Sequence, residues 1–142
     1  MINIIIDKIR EFIAKCPLLD EFARLNVDFL GANATEYTIN SVPTDEIIQK
    51  YVDGGALKQY VFVFASREYY GPDVLQNIEN SGFYEKFADW LEEKTEEYDL
   101  PLLEGNKSAS SIEAISSGYL LSATEDLAAY QIQARLTYYE EK

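Results

Sequence analysis

Carboxylates are the residues of this chain that offer the most chemistry. The sequence carries 25 Asp and Glu against 12 Lys and Arg, a formal net charge of −13. They are densest between Glu85 and Asp99, where Glu92 and Glu96, and likewise Glu93 and Glu97, stand four residues apart. Paired carboxylates can share acid and base roles or hold a hard divalent cation. Glycoside hydrolysis, however, needs two acids facing each other across a cleft. Acids one turn apart on a helix face the same way, so this run reads as a solvated helix face. The chain has no D-x-D-x-D-G spacing for a calcium loop. Asp53-Gly54-Gly55 is too short for a phosphate loop and lacks the Gly-Lys-Ser/Thr ending. Gly71 and Gly82 form no dinucleotide fingerprint.

The nucleophiles are equally unsupported. There is no histidine, which removes the usual general base and the commonest metal ligand. Ser108 to Ser111 and Ser116-Ser117 therefore have no partner base. The single cysteine, Cys16, can form neither an internal disulfide nor a Cys-based zinc site. It precedes Pro17 at the end of an apolar helix and reads as a small buried hydrophobe. The expectation is a protein that is not an enzyme, with no catalytic, cofactor-binding or metal-binding residue.

The acidic balance disfavours direct capture of nucleic acid, which needs clustered Lys and Arg. It equally disfavours an anionic membrane surface. Hydrophobic residues make up 47% of the chain, enough for a core in one domain of 142 residues. Tyr is the leading aromatic, with 11 copies, and its ring and hydroxyl suit sheet faces and interfaces. Asp7 interrupts the short apolar N-terminal run, so no signal peptide or membrane span is expected, and the chain reads as cytoplasmic or assembled there.

The elements that would position these residues follow from periodicity. Ile2, Ile5, Ile6, Ile9, Phe12, Ile13 and Cys16 recur at helical spacing, ended by Pro17. Leu18 to Arg24 reads as one more short turn. Leu25, Val27 and Phe29 alternate in a strand closed by Gly31, and Tyr37, Ile39 and Val42 mark another ended by Pro43. Ile47 to Val52 and Leu57 to Ser66 flank Asp53-Gly54-Gly55, a hairpin turn. The second arm is apolar on both faces, as a central strand covered on both sides requires. Pro72 begins a helix that Asn80-Ser81-Gly82 is expected to break. A second helix follows, with Phe83, Phe87, Trp90 and Leu91 on one stripe, stopped at Leu100-Pro101. After a loop at Glu104-Gly105-Asn106, Ile112 to Ser116 and Tyr119 to Ser122 read as a hairpin about Ser117-Gly118. Thr124-Glu125-Asp126 is the next turn. In the last strand Ala128, Tyr130, Ile132, Ala134, Leu136 and Tyr138 point one way, and Gln131, Gln133, Arg135 and Thr137 the other. The predicted architecture is a single α+β domain over residues 1–142, a mainly antiparallel sheet with helices packed on one face.

Two segments, VDGGALKQYVFVFASREYYGPDVLQNIENSGFYEKFADWL and GYLLSATEDLAAYQIQARLTYYEE, resemble siphophage minor capsid proteins of the tail-terminator type, common in prophages of Gram-positive bacteria. The resemblance runs from about Tyr51 onward. It rests on Tyr51-Val52-Asp53-Gly54, Gln59-Tyr60, Asn80-Ser81-Gly82-Phe83-Tyr84 and Tyr130-Gln131-Ile132-Gln133 taken in order. It implies a structural virion protein without catalytic residues or cofactor, which caps the tail tube as a ring, usually a hexamer, at the head-tail junction. The implied partners are further copies of itself, the major tail tube protein and a head-completion protein, with DNA passing without specific binding and no membrane contact. The implied location is the virion, and the host cytoplasm during assembly.

A ring subunit needs two different patches that meet head to tail. The polar face of the last strand, Gln131, Gln133 and Arg135, is one candidate. The hairpin tip Asp53, Gly54 and Gly55 with the pair Tyr69 and Tyr70 is another. The alternative is an acidic DNA mimic that inhibits a host nucleic-acid-binding protein. It would need phosphate-like spacing of acids over one face, and the helix between Glu85 and Asp99, with Lys86 and Lys94 among its acids, is the only dense candidate.

Overall fold

The first helix, α1 (Ile5–Ile13), turns Ile6, Ile9, Phe12 and Ile13 to one buried side, as the spacing of its isoleucines predicts. The computed structural model describes residues 5–19, 25–27, 30, 36–70 and 74–142. Among these, seven strands form one sheet: β1 (Leu25–Val27), β2 (Glu36–Val42), β3 (Ile47–Lys50), β4 (Ala56–Tyr69), β5 (Lys107–Ala114), β6 (Tyr119–Ala123) and β7 (Leu127–Glu140). The second helix, α2 (Val74–Glu96), lies between β4 and β5 in sequence. The start of the first helix at Ile2, the turn as far as Arg24, the strand end at Phe29 and Gly31, and the Gly71-Pro72-Asp73 helix start lie outside the described residues.

The main order is β1-β2-β4-β7-β5, with β3 also on β4 and β6 also on β7. All pairings are antiparallel except β1 with β2. This is an α+β fold with both helices on one face. β4 and β7 pair along their full length, from Ala56 opposite Glu140 to Tyr69 opposite Leu127. The core lies between this sheet and the helices, with Ile39, Phe62, Phe64, Phe87, Leu91, Ile132 and Leu136 fully buried. Phe64 stacks on Phe87 at 4.5 Å between ring centres, and Phe12 of α1 meets Trp90 of α2 at 5.2 Å.

The predicted break at Asn80-Ser81-Gly82 does not occur, since α2 runs through it. Asn80 is buried, and its side-chain amide donates to Tyr69 O at 2.7 Å and to the Tyr130 hydroxyl at 3.5 Å. Gly82 costs the helix about 1 kcal/mol relative to Ala, less than this anchoring and the burial of Tyr84 and Phe87 return. Tyr84, absent from the predicted stripe, is 2% exposed. Its hydroxyl lies 2.5 Å from Ser66 Oγ and donates to Tyr130 O at 3.1 Å. Buried polar groups persist when each finds a partner, and this network ties α2 to both central strands. The helix ends at Glu96, before the predicted stop, where Tyr98 takes a left-handed backbone (φ 56°) and Asp99 N donates back to Lys94 O.

The predicted hairpin about Ser117-Gly118 is also not formed. β5 and β6 both pair with β7, in succession along one edge, and not with each other. The segment between them bulges outward. Ile115 N donates to Gln133 O at 2.8 Å, and Gln133 N donates to Ser116 Oγ at 3.0 Å. A serine hydroxyl thus stands in for a ladder carbonyl, and the chain continues where a turn would have reversed it. Gly118 then packs on α2, where an added Cβ would lie 2.4 Å from the Tyr84 side chain. The turns predicted at Asp53-Gly54-Gly55 and Thr124-Glu125-Asp126 do form. Thr124 closes the β6–β7 turn, with its N–H donating to Leu127 O at 2.7 Å.

Candidate functional site

β7 alternates as its sequence requires. Ala128, Tyr130, Ile132, Ala134, Leu136 and Tyr138 are buried under the helices, and Gln131, Gln133, Arg135 and Thr137 lie on the other side, half-buried. Residues opposite one another in a ladder share a face, so the register defines rows across the helix-free face. Thr38, Ala65 and Gln131 form one row. Asn40, Val63 and Gln133 form the next, and Val42, Val61 and Arg135 the third.

Val61 and Val63 are each 7% exposed and Ala65 3%. The central strand is therefore buried on both sides, as its unbroken apolar run predicts. Among the described residues no helix covers this side, and part of the shielding comes from side chains that lie across it. Arg135 shows how. Its Nη2 bonds Glu113 Oε1 at 2.5 Å, and its Nη1 reaches Gln59 Oε1 at 3.5 Å, laying the side chain across the sheet. Its Nε is buried without a hydrogen-bond partner. Gln131 donates to the Tyr119 hydroxyl. The three central rows hold one cation, and that cation is paired with Glu113, so in a chain of −13 they form a near-neutral surface. The exposed acids Glu85, Asp89, Glu92, Glu93 and Glu96 stand on α2 in the opposite layer, with Glu97 just past its end.

The second predicted patch does not come together. Asp53-Gly54-Gly55 lies at the start of β4, and Tyr69 and Tyr70 lie at its far end. The intervening strand of 14 residues separates them by roughly 40 Å at ~3.3 Å per residue. The turn is tightly made. Gly54 has φ 95°, Tyr51 N donates to Gly55 O at 2.8 Å, and Gly55 N donates to Asp53 Oδ1 at 2.8 Å. Asp53 and Gly54 are exposed and Gly55 is buried. Tyr69 is 63% exposed, whereas Tyr70 is half-buried against the core and its N–H donates to Asp126 O.

An open cavity of about 490 Å³ lies where the ends of the two helices meet, with Phe12, Trp90 and Leu100 in its wall and Lys8, Lys15 and Lys94 at its edge. Two of these lysines are committed to carboxylates: Lys8 to Glu11 and Glu104, and Lys94 to Glu97 and Asp99. The Glu104 bond raises the Lys8 pKa and the Asp99 bond that of Lys94. Cys16 is buried, which pushes its thiol pKa up and leaves it a poor nucleophile. Among the described residues no three His, Cys, Asp or Glu are grouped to hold a metal ion, and no helix is long and apolar enough to cross a membrane.

Sequence reasoning missed a further set of surface residues. Of the large hydrophobic residues exposed among those described, most lie on two strand edges: Ile47, Ile48, Tyr51 and Val52 in and after β3, and Ile115, Tyr119, Leu120 and Leu121 before and in β6. The signal was present as consecutive apolar pairs, Ile47-Ile48 and Leu120-Leu121, in strands too short to be central. Comparison with models of known protein families gives no match, and no curated protein matches the chain.

Proposed function

We propose that this chain is a structural subunit of a phage tail, which caps the tail tube as a ring and forms part of the head-tail junction. Further copies of itself, the tube protein and a head-completion protein are its partners, and it carries out no catalysis. The observation that carries this reading is where the two tail-terminator-like segments fall. They supply β4, α2, β6 and β7, the centre of the sheet and the helix locked onto it. The same strands present a near-neutral face on a strongly acidic protein, where copies meet with least charge repulsion. The acidic face of α2 suits a phosphate mimic less well, because Lys86 is exposed among its acids and Lys94 already bridges Glu97 and Asp99.

Incubation with purified tail tubes, viewed by electron microscopy, tests this. A ring-shaped cap at one end of each tube is expected. Bare ends at saturating protein overturn the reading.

A further inference from the structure

The end of α2 is closed by a paired arrangement of backbone bonds. Tyr98 N donates to Thr95 O at 3.2 Å, and Asp99 N donates to Lys94 O at 3.0 Å. In such an ending the residue with the left-handed backbone is usually glycine. Here it is Tyr98, at φ 56°. A bulky side chain in that region is strained, and this one buries little in return, since Tyr98 is 83% exposed. Strain of this kind persists at positions that are used for binding or catalysis. Tyr98 stands in the wall of the open cavity between the helix ends, and Leu102, 85% exposed, lines the same cavity.

At about 490 Å³ the cavity is of the size that takes a small ligand. Phe12 and Trp90 meet in its wall at 5.2 Å between ring centres, and Leu100 adds to the apolar surface. The charges around it do not balance. Lys8 is shared by Glu11 and Glu104, and Lys94 by Glu97 and Asp99, so each of these ammoniums faces two carboxylates. Lys15 and Glu93, also in the lining, stand outside every ion pair among the described residues and offset one another. The surplus is negative. Aromatic faces add to it, because the ring quadrupole attracts cations. A cation already stands there: Lys94 Nζ lies 5.9 Å from the centre of the Trp90 ring, at the outer limit of that attraction.

We propose that this cavity binds a small organic cation, an ammonium carried on an apolar body. The body packs on Phe12, Trp90 and Leu100, and the Tyr98 ring supplies the outer wall. The ammonium takes the position, between the Trp90 ring and the carboxylates of Glu93 and Asp99, that Lys94 fills in part. An anion of the same shape would meet the same apolar wall but also the surplus carboxylates, with Lys15 alone free to pair with it. The site lies in the helix layer and is independent of the tail reading.

Trp90 is the only tryptophan of the chain, so its fluorescence reports on the cavity. The protein is titrated at fixed ionic strength with benzyltrimethylammonium, and in parallel with phenylacetate and benzyl alcohol, probes of similar shape that are anionic and uncharged. A saturable change in Trp90 emission is expected with the cation, and a weaker response with the other two. No saturable change with the cation overturns the proposal, as does an equal or stronger response to either control. Tyr98→Gly should bind the cation roughly fivefold more weakly while its urea midpoint rises, because glycine suits the left-handed position. Undiminished binding by that variant would place the cation elsewhere on the acidic surface and refute the site. Lys94→Gln removes the resident ammonium and should bind the cation more tightly. Loss of binding in folded Lys94→Gln would make that ammonium the ligand's partner, the opposite of what is proposed.

Discussion

The two faces of β4 hide their apolar residues in different ways. Under the helices, Phe62 and Phe64 are buried by aromatic and aliphatic side chains from α1 and α2, and Ser66 is held by Tyr84. On the other face Val61 and Val63 are nearly as buried, yet among the described residues no helix lies over them, and the Arg135 side chain reaches across from Glu113 to Gln59. The first face is a core: it loses stability when cut and has no surface to offer. The second carries polar, partly exposed side chains from β7, whose replacement should cost the fold less.

The sharpest way to break this comparison is Phe87→Ala. Phe87 is fully buried and stacked on Phe64, and such truncations cost ~3–5 kcal/mol. Urea denaturation should show a loss of that size, close to the whole stability of a small domain. A variant within about 1 kcal/mol of wild type would mean the helix layer is not the core. A smaller loss is expected from Asn80→Ala, which strips Tyr69 O of its 2.7 Å donor. The bond is part-buried, and the net loss of such a hydrogen bond costs about 0.5–1.5 kcal/mol. A neutral Asn80→Ala in the same titration would show that the polar network is decoration and that α2 tolerates its central Asn-Ser-Gly for another reason.

The helix face should also respond to alkali. Burial raises the hydroxyl pKa of Tyr84, and burial with nearby Glu46 raises that of Tyr138, both above the ordinary 10.0. A folded pKa above the unfolded one means that the unfolded chain loses its proton first. Stability is then fully present below pH 10 and falls as pH rises beyond it. Lys58, raised mainly by its bond to Glu140, has the same sign from an ordinary 10.5. Thermal melting followed from pH 8 to 11.5 should show a plateau and then a decline, shallower in Tyr84→Phe. A flat profile to pH 11.5 would remove these hydroxyls from the buried network.

The smallest effect on stability is expected from the open face. The Arg135–Glu113 pair is partly exposed, at 35% and 48% of its side chains, and such pairs contribute ~0–1 kcal/mol. Arg135→Glu should stay folded, with a denaturation midpoint near that of wild type, while tube capping weakens because a negative charge replaces the positive one. Unimpaired capping by the folded variant would remove this face from the assembly surface.

What the sequence determined by itself was local in origin. The period-2 pattern of β7 placed each of its side chains on the correct face, because alternation is a property of any extended chain. The isoleucine spacing marked α1, and Asp53-Gly54-Gly55 marked a turn, because a positive φ is tolerated best by glycine. The uninterrupted apolar run of β4 marked it as central. Tertiary structure decided the rest. Asn80-Ser81-Gly82 signals a break, and only the partners Tyr69 and Tyr130, distant in sequence, keep it helical. Ser117-Gly118 signals a turn, and only the Ser116–Gln133 bond and the close approach of Tyr84 make it a bulge within an edge. The candidate assembly surface divides in the same way. The polar face of β7 was legible from alternation. The exposed apolar residues of β3 and β6 became a surface only once these strands were seen at the outside of the sheet, because whether a backbone edge is paired depends on which strands meet, and that is not encoded in the strand itself.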